Sequence, residues 1–140
     1  MNGPRRRART YGAVLAGTLL AATTACGTVA ERRDDARAAA DRFEQALEAR
    51  QRAVMCAELA PGTREELEES AKTPCDRALE DEDLPAAGPV RHIDVYGDQA
   101  RAVLAHDTLF LAHFTDGWKV TAAGCRPRGE QPYRCALKGG

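Results

Sequence analysis

The chain has 140 residues, 20 basic and 21 acidic side chains, and a formal charge of −1. Its length is that of one domain. Removing the N-terminal leader described next takes four arginines with it, leaving 16 bases against 21 acids, a formal −5; that balance excludes the electrostatic footprint nucleic acid requires.

Residues 1–25 have the three parts of an export signal: Arg5, Arg6, Arg7 and Arg9, then an apolar run over 11–25, then Thr23, Thr24 and Ala25 as small residues before Cys26. A spanning helix needs about 20 apolar residues, so the segment is expected to be cleaved and not to anchor the chain. The arginines lack the bulky apolar follow-up of twin-arginine export, which favours the general secretory route. Cys26 itself has three possible uses: disulfide partner, metal ligand or lipid attachment point.

The tetrapeptide Thr23-Thr24-Ala25-Cys26 resembles a bacterial lipobox, with Thr23 standing where that motif usually has leucine. The resemblance implies that the Cys26 thiol receives a diacylglyceryl group and becomes the first residue of the mature protein. The expected division is a signal over 1–25, a lipid anchor and tether over 26–31 and one domain over 32–140. The expected address is the outer face of the cell membrane. Ordinary cleavage, giving a secreted protein without lipid, is the alternative. Cysteine arithmetic supports the anchor: of the five cysteines, Cys56, Cys75, Cys125 and Cys135 can pair, which leaves Cys26 for another task.

From about residue 30 to 59, apolar residues recur at Ala36, Ala40, Phe43, Leu47, Val54 and Ala57, which predicts one long helix. Asp34, Asp41, Glu44, Glu48 and Arg52 are expected on its solvated face. Pro61-Gly62 is expected to end it. Thr63 and Glu66 have capping-box spacing and predict a short helix to about Ser70. Thr73-Pro74 predicts a further short helix to about Glu80. The run 80–88, with its acids, Pro85 and Gly88, reads as a loop.

From Val90 the apolar period becomes two. Strands are expected over 90–96, 99–105, 108–114 and 118–123, separated by Gly97-Asp98, His106-Asp107 and Asp116-Gly117. A fifth, over 132–137, follows an irregular loop at 126–131. The expected fold is α+β: one long and two short N-terminal helices packed on a curled antiparallel sheet of four to five strands.

That element order resembles the cone-shaped NTF2-like superfamily. More narrowly, the stretches 56–75, 107–125 and 132–135 (CAELAPGTREELEESAKTPC, DTLFLAHFTDGWKVTAAGC and PYRC) resemble a small actinobacterial lipoprotein family. The excess of arginine over lysine, 17 to 3, fits the GC-rich genome of such an organism. The resemblance implies a fold and an address, but no reaction.

Of the three ways to pair the four domain cysteines, the local one joins elements already adjacent in sequence: Cys56 with Cys75, and Cys125 with Cys135. A zinc site is the competing use, but there is no C-x-x-C pair and no close Cys/His cluster.

The nucleophile inventory is thin. Ser70 is the only serine and has no Gly-x-Ser-x-Gly elbow around it. His106 sits in a turn beside Asp107, while His92 and His113 fall in expected strands. His92, Asp94 and Tyr96 share one strand face and are the cavity candidates, although Ile93 and Val95 opposite them suggest that the trio faces solvent. The acidic runs 65–69 and 80–83 lack the alternating ligands of a calcium loop. No catalytic residue, metal ligand or cofactor is expected. The expected partners are the membrane, through the lipid, and an envelope protein or small ligand. The function expected is non-catalytic binding at the cell envelope; a small-molecule enzyme using the cone is the alternative.

Overall fold

A computed structural model of the chain describes residues 27–139 and, apart from them, Gly3. The rest of the leader and Cys26 lie outside the described residues.

Helix α1 (Val29–Glu48) opens on a capping box: Thr28 Oγ1 accepts the Glu31 N–H at 3.2 Å, and the Glu31 carboxylate accepts the Thr28 N–H at 2.6 Å. The single long helix expected to residue 59 is broken. Arg50 adopts φ 54°, the Gln51 N–H reaches Ala46 O at 2.8 Å and the Arg50 N–H reaches Leu47 O at 3.1 Å. That is a Schellman stop, built here without the usual glycine. The chain restarts as α2 (Arg52–Glu58), so one long helix is followed by three shorter ones and not two.

Helix α3 (Pro61–Ala71) begins where a terminator was expected, because proline suits the first helical position, whose N–H has no partner anyway. Thr63 is therefore not the N-cap. It is buried, and its hydroxyl donates to Thr121 O at 2.9 Å, fastening α3 to the sheet. Helix α4 (Cys75–Ala78) is a single turn.

The strands are β1 (Val90–Tyr96), β2 (Gln99–Leu104), β3 (Thr108–Phe114), β4 (Gly117–Arg128), β5 (Gln131–Arg134) and β6 (Leu137–Lys138). They form an open antiparallel meander in the order β1-β2-β3-β4-β5, with β6 also on β4. The expected irregular loop at 126–131 is instead a hairpin, turning at Gly129 with φ 61°. The expected fifth strand is split into β5 and β6 around Cys135 and Ala136. The fold is thus α+β, helices first and antiparallel sheet second.

Helix α1 lies across β1 to β4. Ala36, Ala39, Ala40 and Ala46 let it approach closely, and Phe43 enters a layer made by Ile93, Leu109, Leu111 and Val120, all at most 1% exposed. The space between helices and sheet is filled by apolar side chains. Both local disulfides are formed: Cys56–Cys75 joins α2 to α4, and Cys125–Cys135 joins β4 to the residue after β5.

Candidate functional site

A surface cleft has a volume of about 680 Å³. It lies outside the helix–sheet core, where the loop before β1, the β2–β3 turn and the β4–β5 ribbon meet. Asp83, Ala87, His106, Asp107, Arg126 and Arg134 are among the residues that line it.

Each wall is fixed by backbone hydrogen bonds. The Ala87 N–H donates to Glu44 Oε2 at 3.1 Å, and Ala87 O accepts the His106 N–H at 3.0 Å, so one residue ties the loop to both α1 and the turn. Asp107 Oδ1 accepts the Thr108 N–H at 2.5 Å and Oδ2 the Gly124 N–H at 2.9 Å, stitching the turn to β4. Gly124 has φ 66°, and a Cβ there would stand 2.8 Å from Ala136 Cβ and 3.0 Å from Leu84 Cδ2. Only glycine fits that conformation and that space.

Glu44 corrects the expected solvated face of α1. Four residues beyond Ala40, it shares the inward face and is 5% exposed. Its Oε1 has no hydrogen-bond partner. Burial, and secondarily the charges of Asp107, Glu48 and Asp41, outweigh the Ala87 hydrogen bond and push the carboxyl up to about 7. Burial also raises Asp107 above the usual carboxylate range, against the N–H groups of Thr108, Gly124 and Cys125 and the nearby Arg126 charge.

On the ribbon, a bulge between residues 126 and 128 shifts the register so that Arg126 pairs with Arg134. An unshifted two-residue hairpin would set Arg126 against Tyr133 and Cys125 against Arg134. The bulge therefore creates an arginine–arginine pair and also allows the Cys125–Cys135 bridge, with Cα atoms 3.9 Å apart.

The expected cavity trio does not line this cleft. His92 Nε2 lies 2.8 Å from Asp94 Oδ1, and Arg101 donates to Asp94 Oδ2 at 2.6 Å. Hydrogen bonds from Arg101 and then His92 hold the Asp94 carboxyl below its ordinary range. Asp94 is thereby tied up in an ion-pair network on the sheet face opposite buried Ile93, and Tyr96 is 64% exposed. Ser70 is exposed on α3, and His113 packs edge-on to Trp118 at 5.2 Å. In the acidic runs, Glu68 pairs with Arg64, Glu69 with Lys72 and Glu80 with Arg52. Among the described residues, no group of three or more His, Cys, Asp or Glu is arranged to hold a metal ion.

The residues that build the cleft were mostly hidden in the sequence. Asp107 reads there as turn chemistry and Glu44 as surface. The facing of Arg126 and Arg134 depends on a bulge that no residue pattern announces.

Comparisons of the chain with protein-family models, with curated proteins and with solved structures returned no match.

Proposed function

We propose that the chain is a lipid-anchored extracytoplasmic domain, NTF2-like in architecture, that works by contact at the cell envelope and not by catalysis. The observation carrying this reading is the filled interior. Phe43, Ile93, Leu109, Leu111 and Val120 occupy the space that a cone-type enzyme would keep open for substrate, which leaves the surface cleft as the contact site. The address draws support from the lipobox-like Thr23–Cys26 and from two disulfides, bonds that persist in oxidising compartments.

The second reading, a small-molecule enzyme, has one observation in its favour: His106 and Asp107 are adjacent in the cleft, and burial raises the Asp107 carboxyl. Both Asp107 oxygens, however, already accept backbone N–H groups, which suits a fastening role better than proton transfer. Crosslinking in intact cells tests the choice. A crosslinker placed at exposed Ala86, in the cleft wall, should capture a discrete envelope component. One placed at exposed Gln45 on α1 should not. Equal capture from both positions would refute a contact site at the cleft.

A further inference from the structure

Resting on the reading of the cleft as a contact site, we propose that it binds a phosphate group, held between Arg126 and Arg134. These two residues are direct cross-strand partners, and both line the cleft. Side chains at such positions stand on the same face of the ribbon, and like charges set directly opposite one another destabilise it. Five arginines elsewhere are each matched by an acid: Arg32 by Asp98, Arg42 by Glu58, Arg52 by Glu80, Arg64 by Glu68, and Arg101 by Asp94. Neither Arg126 nor Arg134 takes part in any ion pair of the described residues.

Neither acid that lines the cleft neutralises them. Asp107 acts on Arg126 only through space, since its oxygens are held by the Thr108 and Gly124 N–H groups. Asp83, on the opposite wall, is exposed and paired with neither. His106 adds a ring N–H donor to the same cleft. Two opposed guanidinium forks suit an oxyanion with close to two charges and several acceptor oxygens. A phosphate monoester or free phosphate meets that description, whereas a single carboxylate supplies half the charge.

The test titrates the purified, exported protein with inorganic phosphate, with glycerol phosphate as a soluble lipid-headgroup surrogate, and with acetate, following thermal stability and backbone amide NMR shifts. Phosphate should bind saturably and shift the 124–126 and 134–136 amides, with acetate much weaker. Each of Arg126→Gln and Arg134→Gln should weaken phosphate about tenfold. Arg77→Gln, an exposed arginine outside the cleft, should leave binding unchanged. Arg134→Glu should abolish binding and also raise the melting temperature in phosphate-free buffer, because it turns a repulsive pair into an attractive one. A purely structural role for Arg134 would not produce that opposition. Tighter binding of glycerol phosphate than of phosphate identifies an esterified source, and the reverse a free one. No phosphate response, equal acetate binding, or an unchanged response in the Arg126→Gln/Arg134→Gln protein would overturn the proposal. Crosslinking at Ala86 that survives such a result would leave the contact reading standing. Its loss with phosphate binding intact would remove that reading alone.

Discussion

The carboxyl of Glu44 contains more chemistry than its position in an ordinary amphipathic helix suggests. It is buried with one oxygen on the Ala87 N–H and the other unpartnered. Its pKa is raised from 4.5 to about 7, so between those values the folded state holds a proton that the unfolded chain has released. Stability therefore falls as pH rises through that window, is lowest above pH 7 and is not further improved below 4.5. At about 1.4 kcal/mol per unit, the total is about 3 kcal/mol. Urea unfolding of the protein at pH 5 and pH 8 should show the loss, and Glu44→Gln should flatten the difference. Equal pH dependence in both proteins would mean that Glu44 is not the titrating group. The sequence offers no hint of this, since one more acid in a helix rich in acids looks like surface until Ala87 is seen against it.

Among the elements, those with regular chemistry were legible and those set by a single exceptional residue were not. The period-two runs, with Gly97-Asp98 and Asp116-Gly117 between them, place β1 to β3 almost to the residue. The break after α1 falls on Ala49-Arg50-Gln51, where no glycine or proline signals a stop, and Arg50 takes up the left-handed turn in spite of its side chain. Pro61 was ambiguous for a different reason: the same ring that ends one helix can begin the next. The local cysteine pairing followed from element adjacency and is what the structure contains. Cys56–Cys75 closes 19 residues around α3, and the loop-entropy model assigns such a bridge about 3 kcal/mol. The Cys56→Ala/Cys75→Ala protein should lose about that much in denaturant unfolding, with α1 and the sheet retained in its circular dichroism spectrum. A loss below about 1 kcal/mol would mean that α2 and α4 are held by packing instead.

For the molecule as a whole, the described domain is closed on itself, with the helices sealing one face of the sheet and the first capping box starting at Thr28. Cys26→Ala should accordingly abolish palmitate incorporation and move the protein from the membrane fraction to the medium, while its melting temperature stays the same. Equal labelling of both proteins would exclude Cys26 as the lipid site. The formal charge of residues 26–140, −5, sharpens the contrast with the arginine pair in the cleft: an anion must approach through an unfavourable field to reach it. Binding should thus tighten modestly as salt screens the domain at large, until salt begins to compete at the site itself.

The start of α1 at Val29 leaves two residues between its first turn and Cys26. At about 3.5 Å per residue, that linker is about 7 Å long, too short for the domain to swing freely. Glu44 lies 15 residues along the helix, and at about 1.5 Å per residue it and the cleft wall it holds at Ala87 stand about 22 Å from the helix's N-terminal end. A lipid on Cys26 would make α1 a mast. Held upright, it would keep the arginine pair out of reach of the headgroups beneath it and present it to whatever passes through the envelope. Laid flat, it would bring the same pair down to the lipid surface. The tilt of one helix would then decide which phosphate the cleft meets.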